Sequence, residues 1–315
     1  MKSGVLLLAH GTPDSPSGVP EFLRLVTSGR ELPAHVVEEI QRRYARIGHS
    51  PLTEITHRKA QALARRLDLP VYVGMRNWHP FIADTLRQIR HDGIERIAAI
   101  CLAPQNSRTS TGLYRKALAA EGSGLALEFV SSWHDHPLLA SAYAVRLEPV
   151  FAAASKAAGS AVPVVFTAHS VPSRTVAEGD PYEAQARETA RLVAEELPQV
   201  AKAGWRFAFQ SQGQSGGEWL GPTVEATLEE LSTAGHKHVV VQPVGFVADH
   251  VEVLYDIDVM FREFAAARGM QLWRPESLND SPTLVTALAD IARAALARVA
   301  AGAMPLDAEV DAQPR

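Results

Sequence analysis

Residues 5–13 read VLLLAHGTP, and residues 164–172 read VVFTAHSVP. Each is a short apolar strand followed by Ala-His, a small residue, any residue and Pro, with His10 and His169 in the same place. Self-similarity at a fixed offset points to a duplicated unit. A second match lies further along each half. Pro80, Ile82, Thr85, Leu86, Ile89 and Gly93 match Pro222, Val224, Thr227, Leu228, Leu231 and Gly235, every pair 142 positions apart.

Each matched segment reads as a helix ending at glycine and then a strand, RIAAICLA in one half and HVVVQPV in the other. Strand-like runs, VYVGMR and WRFAFQS, precede them. Strands that alternate with helical stretches of this length predict parallel sheets with helices on both faces. The expected fold is therefore α/β, two similar Rossmann-like doubly wound domains over 1–155 and 156–302. The last helix belongs to the second domain or packs back on the first, and 303–315 form a flexible tail. Ligands of such sheets bind beyond the carboxyl ends of the strands, which is where His10 and His169 stand; the expectation is a cleft between the domains.

Helix starts agree with this layout. Asp180-Pro181-Tyr182-Glu183 offers a capping Asp, a first-turn Pro and an N3 Glu, and Ser50-Pro51 and Ser281-Pro282 open two further helices.

Composition narrows the function. The chain has 315 residues, 46% apolar and 21% charged, with a net charge of −4. That balance carries no basic footprint, so nucleic acid is not an expected partner. Cys101 is the single cysteine, set in an apolar run, so an internal disulfide and a four-cysteine iron–sulfur or zinc site are excluded. No stretch reaches the 18 or so apolar residues of a membrane span. The expected location is the cytoplasm.

Residues 243–263, PVGFVADHVEVLYDIDVMFRE, leave a strand and enter a helix near Asp249. Glu252 and Asp256 are four apart and stack on one helical face. A cation or a transferred proton between them would offset their repulsion. Asp249 reads as an ordinary first-turn acid. Imidazole with carboxylate suits ferrous iron and other borderline divalent metals. Ser50 caps a helix whose free N–H groups could hold a carboxylate. Arg42, Arg43 and Arg46 precede it, at least one of them on a solvated face. QSQGQSGG, 210–217, reads as a mobile loop without the lysine of a phosphate loop, and Trp219 as its packing anchor.

The segments LLAHGTP, RYARIG-HSPLTEIT, VYVGMRNWHPFI, FTAHSVP, GDPYEAQ, FQSQGQSGGEWLGP and PVGFVADHVEVLYDID together resemble the ferrochelatase family, from about residue 5 to residue 262. The resemblance implies a chelatase-like pair of domains and insertion of ferrous iron into a porphyrin, either coproporphyrin III or protoporphyrin IX, in haem synthesis. It implies His169 and Glu252 as the inner metal and catalytic pair, with Asp256 continuing the acidic line. His10, Arg43, Tyr44, Ser50 and Tyr114 become porphyrin-binding residues. It implies no required cofactor beyond Fe2+ as substrate, and a monomer.

This chain departs from the family pattern at several points. His10 stands where soluble relatives carry a tyrosine that can reach the product iron. The RYARIGHSPL turn is one residue short, Met260 replaces a third acid, and APQNSRTST replaces a more aromatic loop. Two other readings are a cobalt or nickel chelatase of a sirohydrochlorin-like ring and a silent haem- or porphyrin-binding protein.

Overall fold

The computed structural model describes residues 1–122, 124–213 and 217–302. The tail at 303–315 and part of the QSQGQSGG loop fall outside the described residues. The chain forms two compact units.

Among the described residues, the first unit comprises Met1–Trp133 and 279–302. Its strands are β1 (Ser3–Ala9), β2 (Val71–Met75), β3 (Arg96–Cys101) and β4 (Ala126–Val130). They form an all-parallel sheet in the order β2-β1-β3-β4. The helices are α1 (Val19–Val26), α2 (Ala34–Ile47), α3 (Leu52–Leu67), α4 (Ile82–His91) and α5 (Thr111–Glu121). Sequence alternation is absent from β1 and β3 because both faces are covered: their apolar residues are almost wholly buried. Leu6 and Leu8 of β1 share a core with Ile82, Leu86 and Ile89 of α4 and with Tyr114 and Leu118 of α5. Cys101 lies in that core, and burial pushes its thiol up to about 12.

The second unit is His134–Leu278. It begins with α6 (Pro137–Ala158), β5 (Val164–His169), α7 (Ser173–Ala177), α8 (Tyr182–Glu196), α9 (Pro198–Ala203) and β6 (Trp205–Gln210). It continues through α10 (Val224–Thr233), β7 (His238–Pro243), α11 (Val251–Leu254), a π-helical turn (Asp256–Phe261), α12 (Arg262–Ala266) and β8 (Gln271–Trp273). The sheet order β6-β5-β7-β8 is again all parallel and repeats the first topology strand for strand. Equivalent hydrogen bonds mark the repeat: Met75 N–H to Pro80 O at 2.7 Å, and Phe209 N–H to Pro222 O at 2.8 Å.

The division falls at Trp133–His134, ahead of the expected boundary at 155. Helix α6 packs on β7 and α8, so it belongs with the second unit. The last helix, α13 (Pro282–Ala300), covers β3, β4 and α3 of the first unit. Helix starts also differ in detail. Asp180 Oδ1 accepts the Tyr182 N–H at 3.0 Å, as a capping residue does. Ser50 does not cap α3. Pro51 takes the cap position, and the buried Ser50 hydroxyl has no hydrogen-bond partner among the described residues.

Candidate functional site

In a sheet ordered 2-1-3-4, the first strand is the point where the winding reverses direction, and ligands collect beyond its carboxyl end. His169 is the last residue of β5, the switch strand of the second unit, and His10 directly follows β1 in the first.

Along β5, Val165, Thr167 and His169 share one face. Val165 packs there with Val253, Ile257 and Phe261, spaced four apart along the segment that runs from α11 through the π-helical turn. Burial of that stripe fixes the helix over the sheet and brings Glu252 to the strand end. His169 Nδ1 lies 3.2 Å from Glu252 Oε2. The approach is close but poorly aligned for a hydrogen bond, because no partner satisfies Nδ1 by direction. The two side chains remain 34% and 38% exposed, so the pair is open to a ligand.

Burial alone would lower His169, but the Glu252 carboxylate, aided by Asp256, overrides it and raises the imidazole above its ordinary value. Burial would likewise raise Glu252. The charge of His169, with His250 beside it, holds the carboxyl well below its usual range instead. Each group therefore favours the charged form of the other.

His250 Nε2 is 3.6 Å from the same Glu252 oxygen, and its Nδ1 donates to Ala248 O at 3.0 Å. Phe246 lies edge-on to His169 and against His250, at ring separations of 6.4 Å and 4.5 Å. Tyr182 donates to His169 O at 2.9 Å. Gly245 allows the β7–α11 loop to reach β5: a Cβ there would sit 2.9 Å from Ala168 Cβ.

Asp256 opens the π-helical turn and is 3% exposed. Tyr255 O accepts from both Val259 and Met260 N–H, at 3.1 and 3.0 Å, the wider bond being the mark of that turn. The sequence spacing predicts one continuous helix here; the extra residue per turn is the difference. Asp249 is a structural acid, accepting from Arg274 Nη1 at 3.2 Å and Ser277 Oγ at 2.8 Å.

In the first unit, the positive φ of Gly11, +86°, turns the chain after His10 and lets it lie against Trp78, where a Cβ would be 2.8 Å from the tryptophan backbone. His10 is exposed, and both its nitrogens are engaged. Nδ1 meets Gly11 O at 3.1 Å, and Nε2 meets the Asn77 side chain at 3.0 Å. Arg76 has only donors, so the Asn77 oxygen faces it, accepting from its Nε and Nη2 at 3.3 Å and from His10 at 3.0 Å. The Arg76 guanidinium in turn lies 5.6 Å from the ring centre of Tyr114. His10 and Tyr114 are therefore joined through Asn77 and Arg76, although Tyr114 itself is in the core.

Tyr44 is also buried, its hydroxyl 3.1 Å from Thr12 Oγ1. Arg43 Nε donates to Glu39 at 3.2 Å, and Arg42 pairs with the same carboxylate from a largely solvated position. Trp219 forms a bridge with Pro172 and lies over Gly213.

Sequence reasoning singled out neither Asn77 and Arg76 nor His250, Gln210 and Ser211. All five stand in quoted motifs, but four lie in loops and Gln210 ends a strand, where no periodicity marks a partner.

The repeated four-stranded parallel sheet is a fold also seen in solved structures. SirB from Bacillus subtilis with Fe3+ superposes with a TM-score of 0.62 over 96% of this chain and 98% of its own, at 12% identity. CbiX, the terminal enzyme for siroheme biosynthesis in denitrifying bacteria, gives 0.52 over 93% and 99%, at 15% identity. These likenesses concern fold alone. Sequence carries the assignment further: the ferrochelatase family model matches residues 2–296, and the chain belongs to the ferrochelatase family.

Ferrochelatase of Acidobacterium capsulatum is 51% identical, over 96% of this chain and 98% of that protein. Coproporphyrin III ferrochelatase of a Geobacillus species is 34% identical, over 92% and 96%. The chain is a metal–porphyrin chelatase, inserting iron into a porphyrin in haem synthesis. Among the described residues, no helix is long and apolar enough to cross a membrane.

Proposed function

We propose that His169 and Glu252 form the inner pair through which ferrous iron enters the porphyrin, with Asp256 next to them. The observation that carries this is the 3.2 Å approach of His169 Nδ1 to Glu252 Oε2 at the end of the switch strand. Insertion requires iron to shed water and two pyrrole protons to leave the ring. The Glu252 carboxylate supplies an anionic oxygen for the cation or for one pyrrole proton, and His169 in its neutral form supplies a nitrogen for the metal or for a proton, which then passes to solvent. Two donors leave most of the metal's coordination positions open, as suits an ion that must be passed on. His250, within reach of the same oxygen, helps hold the carboxylate while its partner changes charge.

In this reading the porphyrin is met by His10, Arg43, Tyr44, Ser50 and Tyr114. Ser50 offers the clearest support. Its hydroxyl is buried and unpartnered beside the start of α3, where a porphyrin carboxylate would accept from it. Arg43 would move from Glu39 to a carboxylate of the ring. Tyr44 and Tyr114 act from below the surface, by fixing Thr12 and Arg76. His10 reaches an iron only after its Asn77 or Gly11 contact opens.

Coproporphyrin III is the favoured ring, in line with relatives of that name 33–34% identical. The enzyme is taken as a cytoplasmic monomer without a resident cofactor, and light scattering checks the monomer.

Anaerobic insertion of ferrous iron, with coproporphyrin III and protoporphyrin IX side by side, tests the reading. Faster insertion into coproporphyrin III is expected. A preference for protoporphyrin IX overturns the choice of ring, and no insertion into either overturns the activity.

A further inference from the structure

The second sheet ends at β8, an edge strand of three residues. Beside it lies a groove of about 620 Å³, walled by residues of α6, α12 and β8. That volume falls in the range of small-molecule sites, roughly 300–1,000 Å³. None of the lining residues belongs to the site at His169.

The apolar wall comes from Pro149, Val150 and Ala153 of α6, with Leu272 of β8. Pro149 stands inside α6 and is exposed, although a proline there removes a helical hydrogen bond. Core packing does not account for it; what its ring adds is apolar surface to the groove. Trp273 supplies a flat wall. Its Nε1 donates to His238 Nδ1 at 3.2 Å, which fixes the plane of the indole.

The rim carries a cation that its acidic partner does not need. Asp258 is held by both arms of Arg274, Nε to Oδ1 at 2.8 Å and Nη2 to Oδ2 at 2.6 Å. Arg274 is 9% exposed and also donates to Asp249 and to Pro275 O, so it is locked in place. Arg262 adds one longer bond to Asp258 Oδ1, at 3.2 Å, and its side chain is 51% exposed. Arg262 can therefore turn to a ligand anion while Asp258 keeps its partner.

We propose that this groove binds a planar aromatic anion, its rings against Trp273 and Pro149 and its carboxylate or sulfonate on Arg262. The fixed indole and the apolar wall select the ring system, and the guanidinium selects the charge.

The probes are anilinonaphthalene sulfonate and its neutral analogue phenylnaphthylamine, each titrated into the full-length enzyme. The readout is the indole N–H NMR signal of Trp273, assigned by its loss in Trp273→Phe, with calorimetry beside it. In the parent, both probes are expected to shift that signal saturably. Arg262→Gln should weaken the sulfonate about tenfold, a change worth about 1.4 kcal/mol, and leave the neutral probe within about twofold. It should melt with the parent, since Arg274 still holds Asp258. Ala153→Trp, from an exposed position on the groove wall, should abolish binding of both probes.

A parent Trp273 signal that neither probe moves overturns the site. Sulfonate affinity unchanged in Arg262→Gln, or an equal loss of the neutral probe, overturns the role of the cation. Parental binding by Ala153→Trp overturns the location.

Discussion

His169 Nδ1 and Glu252 Oε2 stand 3.2 Å apart although the residues are 83 positions apart in the chain, one at the end of β5 and the other in the first turn of α11. Each holds the other in its charged form. The raised imidazole contributes stability that is present below the unfolded histidine value near 6.5 and is lost as pH rises through the higher folded value. The lowered carboxyl contributes stability that is present above 4.5 and is lost only as pH falls through its depressed value. The pair is intact in between.

In a histidine NMR titration of the metal-free enzyme, His169 is expected to titrate above 6.5, and to fall in Glu252→Gln, where only Asp256 still opposes burial. A His169 value unchanged by that substitution would show that the two are not coupled in solution.

Gly245 is the packing condition for this pair. A methyl group there would meet Ala168 Cβ at 2.9 Å and Ala168 Cα at 3.2 Å, displacing the residue just before His169. Gly245→Ala should cost about 1–3 kcal/mol of stability and lower kcat at least about tenfold through the moved histidine. Urea melts and the insertion assay read the two effects, and parental kcat would mean that the strand end tolerates the shift.

Much of the repeat is legible in the sequence because its signals are local. VLLLAHGTP and VVFTAHSVP become β1 and β5, each the switch strand of its sheet, and the six offset positions fall in α4 and α10 and the loops that flank them. Glu252 and Asp256 are legible as an acidic stripe. The π-helical turn is not, because its wider bonding leaves the apolar spacing of Val253, Ile257 and Phe261 intact. The unit boundary is misread because α6 has apolar residues around much of its circumference; what assigns it is its contact with β7 and α8. Ser50 looks like a cap from its type and place, yet Pro51 holds the cap position and the Ser50 hydroxyl makes no cap bond.

Lys59 is invisible to pattern reading as well. It sits in α3 at 0% exposure, its Nζ without a hydrogen-bond partner, and burial pulls its amine down to about 7 despite the nearby Asp280. The unfolded lysine titrates near 10.5, so the folded state is penalised below about 7, and stability should rise with pH between about 7 and 10.5. Lys59→Met should stabilise the enzyme by up to about 5 kcal/mol at pH 6, with the gain shrinking toward pH 10. Denaturant melts across that range check it, and a methionine variant less stable at pH 6 would contradict it. Nothing in the structure explains why a lysine occupies this place.

Thr12 and Tyr44 form a buried hydroxyl pair at 3.1 Å. Tyr44→Phe should cost about 1–2 kcal/mol, since it leaves the Thr12 hydroxyl buried and unpaired. Adding Thr12→Val should recover much of that loss. A double variant as unstable as the sum of the single ones would show that the hydroxyls do not rely on each other.

The central claim is that Glu252, facing His169, serves the insertion step and not the holding of the porphyrin. The most direct measurement is anaerobic ferrous iron insertion by Glu252→Gln, set beside its affinity for coproporphyrin III by fluorescence quenching. A loss of at least about a hundredfold in kcat is expected, with porphyrin affinity within about threefold of the parent. Near-parental insertion by the glutamine variant would contradict it.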